Sequence, residues 1–279
     1  MLPIKKYNTR VSKIVILVGV YFVLLSNSFI YANTNHPNNK ITDQAIFSED
    51  TRRIISRPQK NPNYSPIGCI TSVFPDGTES KGTGFLISEM IIATAANVVY
   101  SQAHGGYATT KSTFIPSAGS VKEGGVESPF GKANFSSIKV PDKYRDPREQ
   151  YTENYDYALV YLDKILGEDE TANYFNLRKV SLVDFLSKDI TISGYPNEAH
   201  GNRTASMWTD TGIAIAKIND TRIAYQIPTS PGQNGSPIVL AADPRIVIGI
   251  HTDGRLRNPL RLNNGVFTAK EMYDFLTTK

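Results

Sequence analysis

The chain is poor in cysteine, tryptophan and histidine, with one, one and four respectively. A lone thiol, Cys69, excludes an internal disulfide, so folding must rest on a core drawn from the 40% of residues that are apolar, an ordinary share for a folded protein. The histidines lack metal-ligand spacing and no acidic loop reads as a calcium site, so no metal and no other cofactor is expected. Charge of one sign is also missing from the main body. The formal +4 arises from Lys5, Lys6, Arg10 and Lys13 within the first 32 residues, which contain no acid, and the remaining basic residues match the 26 acidic ones in number. That balance gives no reason to expect a nucleic-acid partner. The one long apolar run, Ile14 to Leu25, is shorter than the roughly 20 residues a membrane-spanning helix needs.

What is present begins with that run. Basic residues, an apolar core and then Ser26-Asn27-Ser28 leading to Ala32 form the layout of a secretory signal peptide. The expectation is export with cleavage after Ala32, an extracellular protein with no membrane contact once cut, and a monomer. Asn33 to about Asn63 is polar and without period, a loop-like leader or propeptide in which Arg52 and Arg53 read either as a processing site or as solvated charge. Beyond it, short runs of β-branched and aromatic residues alternate with Gly, Pro, Asn and Asp: Ile67 to Phe74, Gly84 to Ile87, Met90 to Ala95, Tyr157 to Leu162, Asp189 to Ser193, Thr211 to Ile218, Arg222 to Ile227, Pro237 to Leu240 and Ile246 to His251. Many short strands with few helices point to an all-β sandwich or barrels. Cys69 falls in an apolar strand and reads as a buried small side chain, not as a nucleophile. One helix is expected at the end, capped by Thr268 with Glu271 completing a capping box, its Met272, Phe275 and Leu276 facing the second half of the chain. A break near Gly167 to Tyr174 divides two β-rich halves.

Three segments carry the chemistry. Thr94-Ala95-Ala96-Asn97 closes a hairpin; Asp156-Tyr157-Ala158-Leu159-Val160 places an acid before an apolar strand; and Gly232-Gln233-Asn234-Gly235-Ser236-Pro237 is a glycine-flanked turn. In this order they resemble the motifs of trypsin-like serine proteases. Within that family the chain is similar to the glutamyl endopeptidases of staphylococci and enterococci and to exfoliative toxins, with Ile192-Ser193-Gly194-Tyr195-Pro196, Met207-Trp208 and Phe130-Gly131-Lys132 as further points of likeness. The resemblance implies two six-stranded antiparallel barrels with a C-terminal helix. Beyond the signal-peptide layout at 1–32 and a leader at 33–57, it places a protease-like domain at 58–279, with barrel one at about 64–168, barrel two at about 172–267 and the helix at 268–278. It also assigns triad positions to Asn97, Asp156 and Asn234, an oxyanion hole to the backbone amides of Gly232 and Asn234, and an acid-selective primary pocket to Thr229 and His251. The other reading of His251 is a histidine satisfied in the core.

The family has histidine where this chain has Asn97, and serine where it has Asn234. A carboxamide does not titrate near neutral pH and cannot serve as general base, and its delocalised nitrogen is a poor nucleophile. Loss of a triad removes about six orders of magnitude in turnover and leaves roughly 10³ to 10⁴ over water. The expectation is therefore a protease homologue that hydrolyses poorly and binds peptide or protein, with an acidic side chain in its pocket. The alternative is an active endopeptidase cleaving after acidic residues through another arrangement, for which Ser236 and His104 are the candidate substitutes. Trp208 reads as packing.

Overall fold

The computed structural model describes residues 50–120, 125–166, 173–197, 205–252 and 262–278. The signal peptide, its cut site, the leader up to residue 49 and most of the 167–174 break lie outside the described residues.

Within the unit that begins at Thr42, the chain is mostly strand. β1 is Arg53–Ile55; then come β2 (Ile67–Val73), β3 (Glu79–Ser88), β4 (Ile91–Thr94), β5 (Tyr100–Ser101), β6 (Gly106–Tyr107), β7 (Thr113–Pro116), β8 (Gly119–Ser120), β9 (Val126–Glu127), β10 (Ala133–Lys139) and β11 (Ala158–Leu162). The second half holds β12 (Asn176–Leu177), β13 (Asp189–Gly194), β14 (Met207–Lys217), β15 (Arg222–Tyr225), β16 (Pro237–Leu240), β17 (Asp243–His251) and β18 (Asn263–Phe267). Three α-helices lie among the described residues: α1 (Ala96–Val99), α2 (Asp142–Arg145) and α3 (Lys270–Thr277).

Six strands close the first barrel in the order β10-β11-β4-β3-β2-β7. The second runs β14-β13-β16-β17-β18-β15 and is closed by pairing of β14 with β15. Closure removes sheet edges, which is how all-β domains without disulfides avoid exposed backbone. Strand period sets the inside of each barrel. On β10, Ala133 and Phe135 are buried while Asn134 and Ser136 are exposed. The first core gathers Ile70, Phe85, Ile92, Phe114 and Leu162; the second gathers Ile190, Ile192, Ile223, Tyr225, Ile238 and Ile248.

Three sequence expectations need correction. The end helix starts at Lys270, with Ala269 at its N-cap and no side-chain cap bond. Thr268 is drawn away from capping because its hydroxyl donates to the Ile248 carbonyl at 3.0 Å and also to that of Arg178. The helix also packs differently. Met272 and Leu276 join the first core cluster, and Phe275 meets Tyr157 edge-on at 5.3 Å, so its apolar stripe leans on the start of β11 and reaches beyond the second half. Part of the supposed loop-like leader is strand: β1 pairs with β14 through Arg53–Thr209, Ile54–Trp208 and Ile55–Met207.

Candidate active site

Strand pairing brings the first two motif residues together. β11 pairs with β4 so that Ala158 faces Thr94; Asn97 lies just past Thr94 on α1, and Asp156 just before Ala158. Asp156 is 4% exposed. Its carboxylate accepts the Asn97 backbone N–H at 2.8 Å and the Asn97 side-chain Nδ2 at 3.0 Å.

The third residue comes from the loop between β15 and β16. Asn234 Nδ2 lies 3.5 Å from Asn97 Oδ1, oriented as donor. Hydrogen bonds thus run in one direction, from Asn234 through Asn97 to Asp156. Asn97 presents an acceptor to one neighbour and a donor to the other, the polarity a neutral imidazole would have. The carboxamide reproduces that polarity without the basicity.

Contacts with β3 of the first barrel and with the segment after β13 of the second fix the loop around Asn234. Gly232 and Gly235 have φ of +98° and +88°, a region side chains rarely adopt. A Cβ on Gly235 would sit 2.0 Å from Thr83 O, and one on Gly232 would sit 2.5 Å from Tyr195 O. The Pro231 carbonyl accepts Asn197 N at 2.6 Å, and the Gln233 carbonyl accepts Ser236 N at 3.0 Å. Because a trans peptide points its N–H opposite its C=O, these bonds also set the direction of the Gly232 and Asn234 amides, the two assigned to the oxyanion hole.

Thr83 is a site residue that sequence reasoning missed. It is fully buried on β3. Its hydroxyl donates to Gly232 O at 2.9 Å and accepts Tyr195 N at 2.9 Å, while its own N–H donates to Asn234 O at 2.9 Å. One threonine of the first barrel therefore holds the loop of the second. No local signal marks it, because its partners Tyr195 and Gly232 lie far along the chain.

Thr229 and His251 are fully buried, and neither Thr229 Oγ1 nor His251 Nε2 has a hydrogen-bond partner among the described residues. The other ring nitrogen of His251 is engaged: Nδ1 lies 2.6 Å from Tyr225 Oη and 3.2 Å from Asn264 O. Tyr225 gives its single hydrogen to Asn264 O at 2.7 Å, so Nδ1 carries the ring proton and donates to Tyr225. Nε2 is left as a buried lone pair. Burial lowers the His251 pKa to about 3, which keeps the ring neutral. Nδ1 is satisfied within the core, and Nε2 has no partner among the described residues.

The proposed substitutes sit elsewhere. Ser236 Oγ is buried and directed at Gly194, where an added Cβ would lie 2.0 Å from it. His104 is on the surface, its Nδ1 2.8 Å from Asp76 Oδ2. Cys69 is half-buried on β2, with desolvation raising its thiol pKa to about 11. Trp208 is 9% exposed on β14, with the Arg52 guanidinium 5.3 Å from its ring centre. Arg53 is exposed but Arg52 is buried, so solvated charge does not describe the pair. No group of three or more His, Cys, Asp or Glu able to hold a metal is found among the described residues.

Two closed six-stranded barrels with three motif residues meeting between them define a chymotrypsin-type serine protease scaffold. The Trypsin family matches residues 54–274, and the chain belongs to that family. It is 28% identical over 242 residues to a glutamyl endopeptidase of Bacillus licheniformis, covering 84% of this chain and 68% of that protein. Among solved structures it resembles a Glu endopeptidase in complex with MPD, with a TM-score of 0.67 at 22% identity over 83% of this chain and 97% of that one. It also resembles the scabies mite inactivated protease paralogue S-I1, with a TM-score of 0.61 at 13% identity over 81% of this chain and 100% of the other.

Proposed function

We propose that this chain is an exported, catalytically impaired relative of the glutamyl endopeptidases that binds peptide or protein segments instead of cutting them. One observation carries the reading: the line Asn234, Asn97, Asp156 keeps triad-like spacing, with contacts of 3.5 and 3.0 Å, yet contains neither a titrating base nor a hydroxyl. A scaffold preserved around unreactive side chains retains positioning and loses bond making. The placement of Ser236 and His104 weighs against a substitute dyad, because catalytic groups must come within about 3 Å of each other and of the reacting bond.

The ligand class follows from the buried pocket groups. A hydroxyl and an imidazole nitrogen without partners among the described residues are costly to leave dry, about 1–3 kcal/mol each, and a ligand side chain reaching them would relieve that cost. The glutamyl endopeptidase likeness makes an acidic side chain the choice, held by Thr229 Oγ1 and by His251 Nε2 once protonated. Amides of Gly232 and Asn234 would take the adjoining carbonyl or carboxylate. Export is supported by the order of basic residues, apolar run and small residue in the first 32 residues.

The test is calorimetry of the purified protein with short peptides differing only in a central glutamate, glutamine or lysine, followed by mass spectrometry of the peptide. Binding of the glutamate peptide at least tenfold tighter than the lysine peptide, with the peptide recovered intact, is expected. Equal affinity for all three would refute the pocket assignment; cleavage that persists in Asn234→Ala would refute the binding-only role.

A further inference from the structure

Arg52 comes from outside both closed barrels, yet its side chain is 1% exposed. Burying a guanidinium costs several kcal/mol unless its donors are used, and here they are used on two fronts. Nε and Nη2 donate to the Asp50 carboxylate at 2.9 and 2.8 Å. Nη1 donates to Gln233 Oε1 at 3.1 Å and to Ser230 Oγ, and the guanidinium lies over Trp208. Asp50 neutralises the charge, while the Nη1 edge is directed into the loop that carries the site.

Gln233 stands between Gly232 and Asn234. It is 1% exposed, and its Oε1 also accepts Ser230 N at 3.0 Å while its backbone N–H donates to Ser230 O at 3.1 Å. Ser230 and Gln233 thus form a closed turn with Arg52 bonded to both side chains. Thr83 and Asn197 hold the backbone carbonyls of Pro231, Gly232 and Asn234; the bonds to the two side chains come from the amino-terminal segment.

We propose that Arg52 is a positioning residue for the 229–236 loop, so that the Asp50–Ile55 segment belongs structurally with that loop and is not a detachable leader. The segment is held by β1, which pairs with the second-barrel strand β14, and this places Arg52 beside the loop. A cut between Arg52 and Ile54 would disconnect the brace from β1 and leave both barrels closed. The inference concerns loop order in the unliganded protein, so it stands or falls apart from the ligand assignment.

The experiment is amide hydrogen exchange by mass spectrometry on the full chain without ligand, comparing wild type, Arg52→Ala and Arg52→Lys. In Arg52→Ala, fragments covering 229–236 should exchange at least tenfold faster, while fragments from β2 and β10 keep their wild-type rates. Arg52→Lys should be intermediate, because one ammonium group cannot serve Asp50, Ser230 and Gln233 with the fork geometry of arginine. Unchanged exchange in the loop would overturn the proposal. So would an equal acceleration across all fragments, which would make Arg52 a general stabiliser. If Arg52→Ala does not fold, the same comparison with Arg52→Lys decides.

Discussion

Replacing Asn97 by aspartate would change one N–H donor into an oxygen acceptor opposite Asp156 Oδ2, across the present 3.0 Å contact. Two full negative charges at that separation repel by about 5 kcal/mol at an effective dielectric near 20. The cheaper outcome is for the pair to keep one proton. At pH 7, holding a proton on a carboxyl whose ordinary pKa is near 4 costs about 1.4 kcal/mol per pH unit, or about 4 kcal/mol. The sign follows from linkage. Between pH 4 and the raised pKa the folded variant binds one proton more than its unfolded chain, so its stability is highest below pH 4 and falls as pH rises. Urea unfolding of wild type and Asn97→Asp at pH 5, 6 and 7 should show a stability gap widening by about 1.4 kcal/mol per unit. A gap that stays constant, or narrows as pH rises, would refute the donor-to-carboxylate geometry.

Thr83→Val keeps the shape of a fully buried side chain but strands Tyr195 N–H and Gly232 O, and should cost about 2–4 kcal/mol in urea unfolding; a loss below 1 kcal/mol would show that the inter-barrel clamp is not needed. Gly235→Ala and Gly77→Ala share a left-handed φ, +88° and +84°, but a Cβ on Gly77 meets nothing within 4 Å. Thermal melts should show about 1 kcal/mol lost at position 77 and more than about 4 kcal/mol, or no folded protein, at position 235. His251 should remain neutral at pH 5 by NMR of its ring carbons, since burial has lowered its pKa to about 3. Its unfolded form takes up a proton below about pH 6.5, so native stability should fall by about 1.4 kcal/mol per unit as pH drops from there, and less steeply in His251→Gln. A ring that titrates near 6.5 in the folded protein would contradict the buried-pocket geometry.

The strands were legible because short β-branched and aromatic runs are separated by Gly- and Asn-rich turn signals; those runs left sandwich or barrels open, and the two six-stranded barrels came from the family resemblance. The positions of Asn97, Asp156 and Asn234 were legible for a different reason: each belongs to a short motif whose neighbours, Ala95-Ala96, Ala158-Leu159 and Gly232 with Gly235, are themselves dictated by close packing. Arg52, Thr83 and Tyr225 were not readable as site residues. Each acts through a bond to a residue far along the chain, such as Arg52 to Gln233 or Thr83 to Gly232, and no local period or spacing encodes such a pairing. The capping box at Thr268 failed for the same cause, since a tertiary carbonyl on Ile248 outcompeted the local helix end.

The most direct measurement compares wild type with the double variant Asn97→His, Asn234→Ser, each treated with a fluorophosphonate and then with peptides bearing glutamate, aspartate or glutamine at the cleavage position. Wild type should stay unlabelled and leave every peptide whole, while the double variant should be labelled at position 234 and cut after glutamate. Labelling of wild type at Ser230 or Ser236, or turnover by wild type that Asn234→Ala leaves intact, would contradict the account.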